Sequence, residues 1–268
     1  MKKLTSLLIA TVISGSTFAQ TDFRSDWEKM ELAGAVKSIE ESVDGSKTNN
    51  YTFDNHGYLT SNGMHYSYDS NGRMMTAYDD VNKYSFDYNS KGQLIEFDRR
   101  TTGQNAYKEA YVYDSNGNMT SCNTSNSMIA MFYDESNRLI HTNDVYGKIL
   151  REVSYDEKGR ISVDRTIDTK TVYTYDSKDR IVKKEVESKG KKVGEEISYD
   201  NNNAVTKRIV TTQTQTSKEV ETHTYTIDEA GNWKKDVVQT ESNGKTTTKT
   251  ITRAIEYQAL SRQLYLIK

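Results

Sequence analysis

The chain contains no proline among its 268 residues and only one cysteine, Cys122. Proline has no backbone N–H to donate, so its absence is typical of a chain that pairs most of its backbone in strands. A single cysteine excludes an intrachain disulfide, and strand pairing and packing must therefore hold the fold together. With no histidine-containing context near it, Cys122 is interpreted as a small, partly buried side chain and not as a nucleophile.

Long apolar runs and a strong excess of one charge are also missing. No segment after the first twenty residues approaches the run of about 20 apolar residues that a transmembrane helix needs. The formal net charge of −2 gives no electrostatic case for binding nucleic acid or an anionic membrane. We therefore expect no nucleic-acid partner and no membrane span.

The start of the chain has the features of a secretory signal peptide. It opens with two lysines, residues 4–13 are mostly apolar, and Thr17 and Ala19 place small residues at the positions that signal peptidase reads. The pattern predicts a bacterial signal peptide over residues 1–19. A secreted protein, periplasmic or extracellular, is expected.

Tyrosine is abundant, with 19 residues, and the tyrosines recur in register. Nine copies of one motif can be aligned, as in YSYDSNGRM and YTYDSKDRI. The alternation of aromatic, spacer and aromatic predicts a strand with both rings on one face. The copies start at Tyr51, Tyr66, Phe86, Tyr111, Met131, Val153, Tyr173, Ile197 and Tyr225.

The centre of the motif predicts a tight turn. An Asp at the first corner of a type I turn hydrogen-bonds its own backbone, and the fourth residue must then have positive φ, usually with a bulge. In the first copy this places Phe53 opposite Leu59 as a cross-strand pair. The fourth position holds only residues that tolerate positive φ, so Asp179 is interpreted as a conformational choice and not as a reactive acid. These residues are Gly57, Gly72, Gly92, Gly117, Asn137, Gly159, Asp179, Asn203 and Gly231.

Return turns such as Asn62-Gly63 and Asn243-Gly244 separate the motifs. Together the turns predict an all-β fold, an antiparallel meander of about twenty strands, with strands of about 5 residues in the shortest interval. So many strands rarely form a flat sheet, and we expect a strongly curved or coiled one. The pattern is compatible with an open, a coiled or a closed sheet. The predicted organisation is a leader over 20–33, a single repeat domain over 34–257 and a C-terminal tail over 258–268.

Charged residues recur on both faces of the last predicted strands. Lys249 and Arg253 share one face of the final strand with Ile251. A lipid-spanning barrel needs an apolar outward band, so this pattern argues against one. On the strand before it, strict alternation places four residues on one face: Trp233, Lys235, Val237 and Gln239.

The nine copies of Y-x-Y-D-x-x-G-x-[LIM] resemble the YD repeats of RHS-type bacterial proteins and of the related teneurin shells. The resemblance covers about residues 51–233. It implies a spiral of β-hairpins that forms a hollow shell, often around a toxic C-terminal domain. This chain is far shorter and shows neither a distinct domain after its last repeat nor a recognisable self-cleaving segment. It therefore resembles a short secreted bacterial variant without a toxin domain.

No established catalytic motif occurs: the sequence contains no G-x-S-x-G, S-x-x-K, H-E-x-x-H, G-x-G-x-x-G or P-loop. The four histidines have no metal-ligand spacing, and His56 at a turn corner is expected to be exposed. DSNG at 69–72 and 114–117 is only faintly similar to a calcium loop, which needs further ligands at fixed positions. We predict no catalytic, cofactor-binding or metal-binding residue and no cofactor, and the residues that bind any ligand are unknown.

A chain that is almost wholly repeat, without a reactive cluster, favours an exported non-enzymatic β-repeat scaffold. Its partner is then an unknown protein or glycan of the cell envelope. The alternative is a carbohydrate-binding protein that uses exposed tyrosines or Trp233. Tyrosines such as Tyr111 and Tyr173 are explained more simply as the ladder that makes the sheet cohere. An enzymatic site stays open if the fold gathers histidine and carboxylates from separate hairpins.

Overall fold

A computed structural model of the chain describes residues 26–30 and 32–258. The predicted signal peptide, part of the predicted leader and the predicted tail beyond Gln258 lie outside the described residues. One short helix, α1, covers Asp26–Lys29, and twenty strands follow it. The strands are β1 (Val36–Val43), β2 (Ser46–Phe53), β3 (Leu59–Ser61), β4 (His65–Tyr68), β5 (Met74–Tyr78), β6 (Asn82–Tyr88), β7 (Leu94–Thr101), β8 (Tyr107–Tyr113), β9 (Met119–Thr124), β10 (Met128–Tyr133), β11 (Leu139–Asp144), β12 (Ile149–Tyr155), β13 (Ile161–Thr166), β14 (Lys170–Tyr175), β15 (Ile181–Ser188), β16 (Lys191–Tyr199), β17 (Val205–Gln213), β18 (Lys218–Ile227), β19 (Trp233–Ser242) and β20 (Lys245–Tyr257).

Every strand pairs antiparallel with its neighbours in the chain, and the first strand also pairs with the last. Ile39 of β1 lies opposite Ile255 of β20, and Glu41 lies opposite Arg253. The meander therefore closes into a ring of twenty strands. The predicted all-β antiparallel meander is confirmed, and of the open, coiled and closed alternatives the closed sheet is the one formed. Closure leaves no strand of the ring with an unpaired edge.

The nine motif turns have the predicted backbone. In the fourth copy, the N–H of Gly117 donates to the carbonyl of Asp114 at 3.2 Å, and the N–H of Asp114 donates to the carbonyl of Asn118 at 2.9 Å. All nine residues at the fourth turn position have positive φ, including Asp179 at 63°. Phe53 lies opposite Leu59, and the same pairing of third and ninth motif positions recurs in the other eight copies.

A second register shift, which sequence reasoning missed, follows each motif turn. In the last copy Ile227 lies opposite Trp233, but Thr226 lies opposite Lys235, so one residue is skipped. A skipped residue moves all later side chains of the strand to the other face. The prediction that Trp233 shares a face with Lys235, Val237 and Gln239 is therefore wrong. Trp233 shares its face with Asp236, which lies opposite Tyr225.

Strand length varies around the ring, and the longest strands are the last ones. β3 has 3 residues and β4 has 4, whereas β19 has 10 and β20 has 13. The shortest strands are shorter than predicted, because the turns over 54–58 and 62–64 take up most of the interval between the first two motifs. The last two strands are consequently about three times as long as β3 and β4.

The face that carries the first and third motif positions is called the inner face here, and most buried apolar side chains lie on it. The larger buried cluster includes Phe86, Phe97 and Tyr111. A smaller cluster lies beside the closure and contains Val36, Ile39, Phe53 and Leu59. Burial on one face follows from the period-2 pattern of the strands.

Polar side chains bridge the first and last elements where the ring closes. Arg253 Nε donates to Glu41 Oε1 at 2.8 Å, and the two side chains are only 12% and 11% exposed. Asn232, 3% exposed, accepts from the N–H of Ala33 at 2.7 Å and donates to the carbonyl of the same residue at 2.8 Å. Asn232 thus pairs with the leader as a neighbouring strand would.

Helix α1 is tied to the start of the ring by one buried carboxylate. Asp26, fully buried, accepts from the N–H of Leu59 at 2.7 Å and from the hydroxyl of Tyr68 at 2.9 Å. Burial, followed by the charge of Asp26, raises the pKa of Tyr68. The tyrosine therefore stays a hydrogen-bond donor.

Candidate functional site

The acid of the motif is engaged inside its own turn. In YTYDSKDRI, Asp176 Oδ1 accepts the backbone N–H groups of Lys178 at 2.9 Å and Arg180 at 3.0 Å, and Oδ2 accepts from Nε of Arg180 at 2.8 Å. The Arg180 hydrogen bond holds the pKa of this carboxyl below its usual value. In all nine copies the first turn residue accepts the backbone N–H four residues on.

An arginine after the fourth turn position links each such turn to the next copy. Arg160 forms a forked ion pair with Asp156, and its guanidinium lies 4.3 Å from the ring centroid of Tyr175 in the following motif. A cation over an aromatic face adds about 0.5–1 kcal/mol at exposed sites. All four copies with arginine at this position make both contacts: Arg73 with Tyr88, Arg138 with Tyr155, Arg160 with Tyr175 and Arg180 with Tyr199.

The second tyrosine of the motif completes this link. Its hydroxyl donates to the carbonyl of the last motif residue in the preceding copy, as Tyr155 does to Leu139 at 2.8 Å. Burial raises the pKa of Tyr88 and Tyr113 to about 12, so these hydroxyls remain donors. All seven copies with tyrosine at this position make the bond, through Tyr68, Tyr88, Tyr113, Tyr133, Tyr155, Tyr175 and Tyr199.

The polar groups of the motif thus bond to other groups of the ring. Its carboxylate holds the turn, its arginine joins two turns and its tyrosine hydroxyl joins two hairpins. Asp179, the acid in place of glycine, accepts from Lys158 Nζ at 2.9 Å and pairs with Arg160 in the neighbouring turn. The Lys158 hydrogen bond lowers the pKa of Asp179. As predicted, Asp179 occupies a turn position that requires positive φ. Its carboxylate also bridges to the adjacent turn.

A column of inner-face residues that sequence reasoning missed divides the ring into two halves. It is the third residue after each of the last eight motif copies, which the second register shift turns inward. On β5, β7 and β9 the column is apolar, and from β13 to β19 it is charged. In chain order it reads Ala77, Phe97, Cys122, Thr142, Asp164, Lys184, Arg208 and Asp236. We call the inner face of β3–β11 the apolar wall and that of β12–β20 the charged wall.

The charged wall holds its charges in pairs. Arg151, 8% exposed, donates from Nε to Asp164 Oδ1 at 2.9 Å and from Nη2 to Oδ2 at 2.8 Å. Arg208 Nε lies 3.0 Å from Glu195 Oε1. The bidentate geometry of Arg151 with Asp164 offsets the desolvation of these buried charges and favours the pairing of β12 with β13.

One part of the charged wall, the inner polar cluster, contains histidine and carboxylates from two hairpins: His223, Asp236, Arg208, Glu195 and Tyr225. His223 Nδ1 and Asp236 Oδ2 are 2.8 Å apart, and Asp236 is 4% exposed. Asp236 Oδ1 is buried without a hydrogen-bond partner. Burial raises the pKa of Tyr225. Asp236 Oδ1 can therefore accept a further hydrogen bond. The other oxygen of the same carboxylate orients the His223 imidazole beside it.

The remaining residues singled out in the sequence are dispersed. His56 is exposed, as predicted, with 81% of its side chain accessible. Cys122 is 2% exposed, more buried than expected, and burial raises the pKa of its thiol to about 12. The ring of Trp233 is covered on one side by the Arg253 guanidinium, 3.6 Å from its centroid. The most exposed tyrosine is Tyr146 in a return turn, at 92%.

Within the residues that the structure describes, no group of three or more His, Cys, Asp or Glu side chains has the arrangement of a metal site. No helix in the described ranges has the length and apolar character needed to cross a membrane.

Among the residues that the structure describes, ten of the eleven exposed large apolar side chains lie between residues 78 and 167. Seven of them occur in or beside return turns or at strand starts, and three lie on the outer face near the motif turns. Residues 168–256 contribute none. The outside of the ring is therefore as asymmetric as the inside.

Comparison with known proteins agrees with the repeat assignment. Residues 79–177, less than half of the chain, match the family described as Teneurin YD-shell. The predicted resemblance to the YD-repeat family is confirmed over this segment. A search of curated proteins finds no match.

Solved structures give distant matches. A chain in the Photorhabdus luminescens Tc holotoxin pore is 13% identical with a TM-score of 0.38, covering 81% of this chain and 15% of that one. Porin-like proteins from Bacteroides uniformis and Bacteroides vulgatus are 13% and 12% identical, with TM-scores of 0.37 and 0.34. Each match covers 84% of this chain and 99% of the porin-like chain. The chain spans only about 15% of the length of the first of these matches.

Proposed function

Because residues 79–177 carry the YD repeat of the Teneurin YD-shell family, we propose that the protein is an exported, non-enzymatic scaffold that binds a protein or another component of the cell envelope. The ring is the rigid part of this scaffold. Its surface, and not its motif, makes the contact.

The observation that carries the proposal is the internal use of the motif's polar groups. Seven tyrosine hydroxyls, nine turn acceptors and four arginines are each bonded within the ring. A group already bonded in this way can bind a ligand only if the hairpin loses a contact, which costs about 1–3 kcal/mol when a buried partner is left unsatisfied. The side chains that remain free to contact a partner are those between residues 78 and 167 that expose apolar area.

The predicted location outside the cytoplasm is part of the proposal. One buried thiol and no disulfide make the fold independent of the redox state of its compartment. The test is to express the full chain in bacteria and to ask whether the mature protein leaves the cytoplasm with residues 1–19 removed.

Photo-crosslinking tests the scaffold function. A crosslinking amino acid replaces Tyr146 in one variant, and replaces Thr216, an exposed return-turn residue of the opposite half, in the matched control. Exposed to envelope extracts of the source bacterium, the first variant is expected to give a discrete adduct and the control none. No adduct from any outer position, together with turnover of a substrate by the purified chain, would contradict the proposal.

Carbohydrate binding remains a prediction with its own readout. Tyr146 and Tyr78 expose the largest ring fractions among the described tyrosines, and neither is a motif residue. A glycan array that binds the wild type and loses its signal in Tyr146→Ser would replace the protein partner with a sugar.

A further inference from the structure

The second motif position, which points to the outer face, is polar in seven of the nine copies. In two copies the hydroxyl bonds across the hairpin, between Ser67 and Thr76 at 2.6 Å and between Thr52 and Thr60 at 2.9 Å. The polar residues are Thr52, Ser67, Asp87, Ser154, Thr174, Ser198 and Thr226. A repeat that keeps this position polar keeps the outer face compatible with water.

Two successive copies break this rule. Val112 and Phe132 occupy the position in the fourth and fifth copies and are 49% and 41% exposed. Ile95 on β7 is 38% exposed, and the ring of Phe132 stacks on His141 of β11 with centroids 4.4 Å apart. These four residues, Ile95, Val112, Phe132 and His141, form what we call the outer patch. Its residues lie on four of the five strands from β7 to β11, a width of about 19 Å at the usual strand spacing.

Beside the outer patch, one negative charge has no cationic partner among the described residues. Asp87 and Glu96 lie directly opposite each other on β6 and β7, an arrangement in which like charges repel. Lys108 Nζ is 2.8 Å from Glu96 and 3.8 Å from Asp98, and Arg100 Nη2 is 3.1 Å from Asp98, so these two cations pair with Glu96 and Asp98. Asp87 has no ion pair among the described residues. A cation supplied from outside would complete this arrangement next to Ile95.

The size of the outer patch favours a short segment over a second copy of the chain. The three apolar side chains, at 38%, 49% and 41% exposure, present on the order of 250 Å² of apolar area, whereas a stable dimer buries about 800 Å² on each partner. A strand or helix of a partner that inserts one or two apolar side chains needs no more than such a patch.

We propose that the outer patch binds a partner protein segment that presents one or two aliphatic or aromatic side chains beside a Lys or Arg. The apolar side chains contact Val112 and Phe132, and the cation lies against Asp87 and Glu96. This proposal rests on the scaffold function and names its surface and the chemistry of its partner.

The test uses variants that the repeat itself supplies. Val112→Ser/Phe132→Ser restores the polar residue that most other copies carry, so the hairpins are expected to keep their stability. Ser154→Ala, the same position in the sixth copy, is the matched control. Peptides are selected by display against the folded wild-type chain, synthesised, and titrated against each variant by fluorescence anisotropy.

Selected peptides are expected to combine Lys or Arg with Leu, Ile, Phe or Trp. Their affinity is expected to fall about tenfold or more in the double variant, as for a central aromatic contact, and to be unchanged in Ser154→Ala. Asp87→Asn is expected to weaken basic peptides about threefold at low salt and to leave versions with Lys replaced by Gln unaffected.

Three outcomes would overturn the proposal that the outer patch binds a basic, apolar segment of a partner protein. In the first, the selected peptides bind the double variant as well as the wild type. In the second, acidic apolar peptides bind as well as basic ones. In the third, the wild type dimerises in sedimentation and the double variant does not. The first outcome leaves the scaffold function intact, because binding then occurs elsewhere on the ring. If the variant with a crosslinker at Tyr146 gives no adduct with envelope extracts while the selected peptides still bind, the result counts against the envelope partner and not against the outer patch.

Discussion

The two walls of the ring are built from the same motif but packed by different physics. The apolar wall buries Phe97 and Cys122 at 1% and 2% exposure, and most of its buried apolar side chains belong to one cluster. The charged wall places Asp164 and Arg208 in the same column and holds them by ion pairs. The motif turns hardly differ between the walls. Turn geometry and wall packing are therefore independent choices, and the repeat tolerates a change in its lining.

The largest expected difference in stability is between two substitutions in the column of inner-face residues, one in each wall. Phe97→Ala is expected to lower the free energy of unfolding by about 4 kcal/mol, because it leaves a cavity against Tyr84 and Phe86. Lys184→Ala, the equivalent position of the charged wall, is expected to change it by less than about 0.5 kcal/mol. Urea denaturation of the two variants measures the difference, and similar losses would mean that the walls are packed alike.

The charged wall is expected to respond to pairs and not to single residues. Asp164→Ala leaves Arg151 buried without its partner, at a cost of about 3 kcal/mol. The double variant Arg151→Met/Asp164→Leu is expected to recover most of this loss, since apolar side chains of similar volume replace a buried ion pair without penalty. The same denaturation experiment applies, and a double variant as unstable as the single one would contradict the description of this wall.

The turns are expected to behave alike in both walls, beginning with the positive-φ position. Gly117 has a φ of 92°. Gly117→Val is expected to lower the free energy of unfolding by about 2 kcal/mol, because a β-branched residue is strained at positive φ. Ser115→Val in the same turn is expected to cost less than about 0.5 kcal/mol. Equal unfolding free energies for the two variants would show that the turn assignment is wrong.

The smallest effect isolates one tyrosine hydroxyl. Tyr155→Phe removes the hydrogen bond to Leu139 and keeps the ring under Arg138, and we expect a loss of about 1 kcal/mol. Tyr146→Phe, at 92% exposure, is the control and is expected to have no effect. Thermal denaturation followed by circular dichroism resolves the two, and equal melting temperatures would remove the hydroxyl from the account of the repeat.

Local chemistry could be predicted from the sequence, and long-range geometry could not. The positive φ of Asp179 and the pairing of Phe53 with Leu59 follow from turn preferences within nine residues. The second register shift, which turns Asp236 inward, has no residue signature comparable to glycine, so strict alternation assigned Trp233 to the wrong set of neighbours.

Two other features could have been predicted from the sequence. Arginine follows the fourth turn position in four copies, and Val112 and Phe132 depart from the polar second position, so aligning the copies column by column would have shown both. Closure is different, because it joins residues more than 200 positions apart, such as Ile39 and Ile255. Nothing in the pattern of either terminal strand identifies the other as its partner.

Closure of the ring is the central claim, and a disulfide across the seam tests it most directly. Ser42 of β1 lies opposite Thr252 of β20, and Cys122 is buried away from the seam. In Ser42→Cys/Thr252→Cys, mild oxidation followed by peptide mapping should find the two new cysteines linked within one chain, in high yield and at low protein concentration. Cysteines that stay reduced, or that link only between chains, would show that the sheet is open.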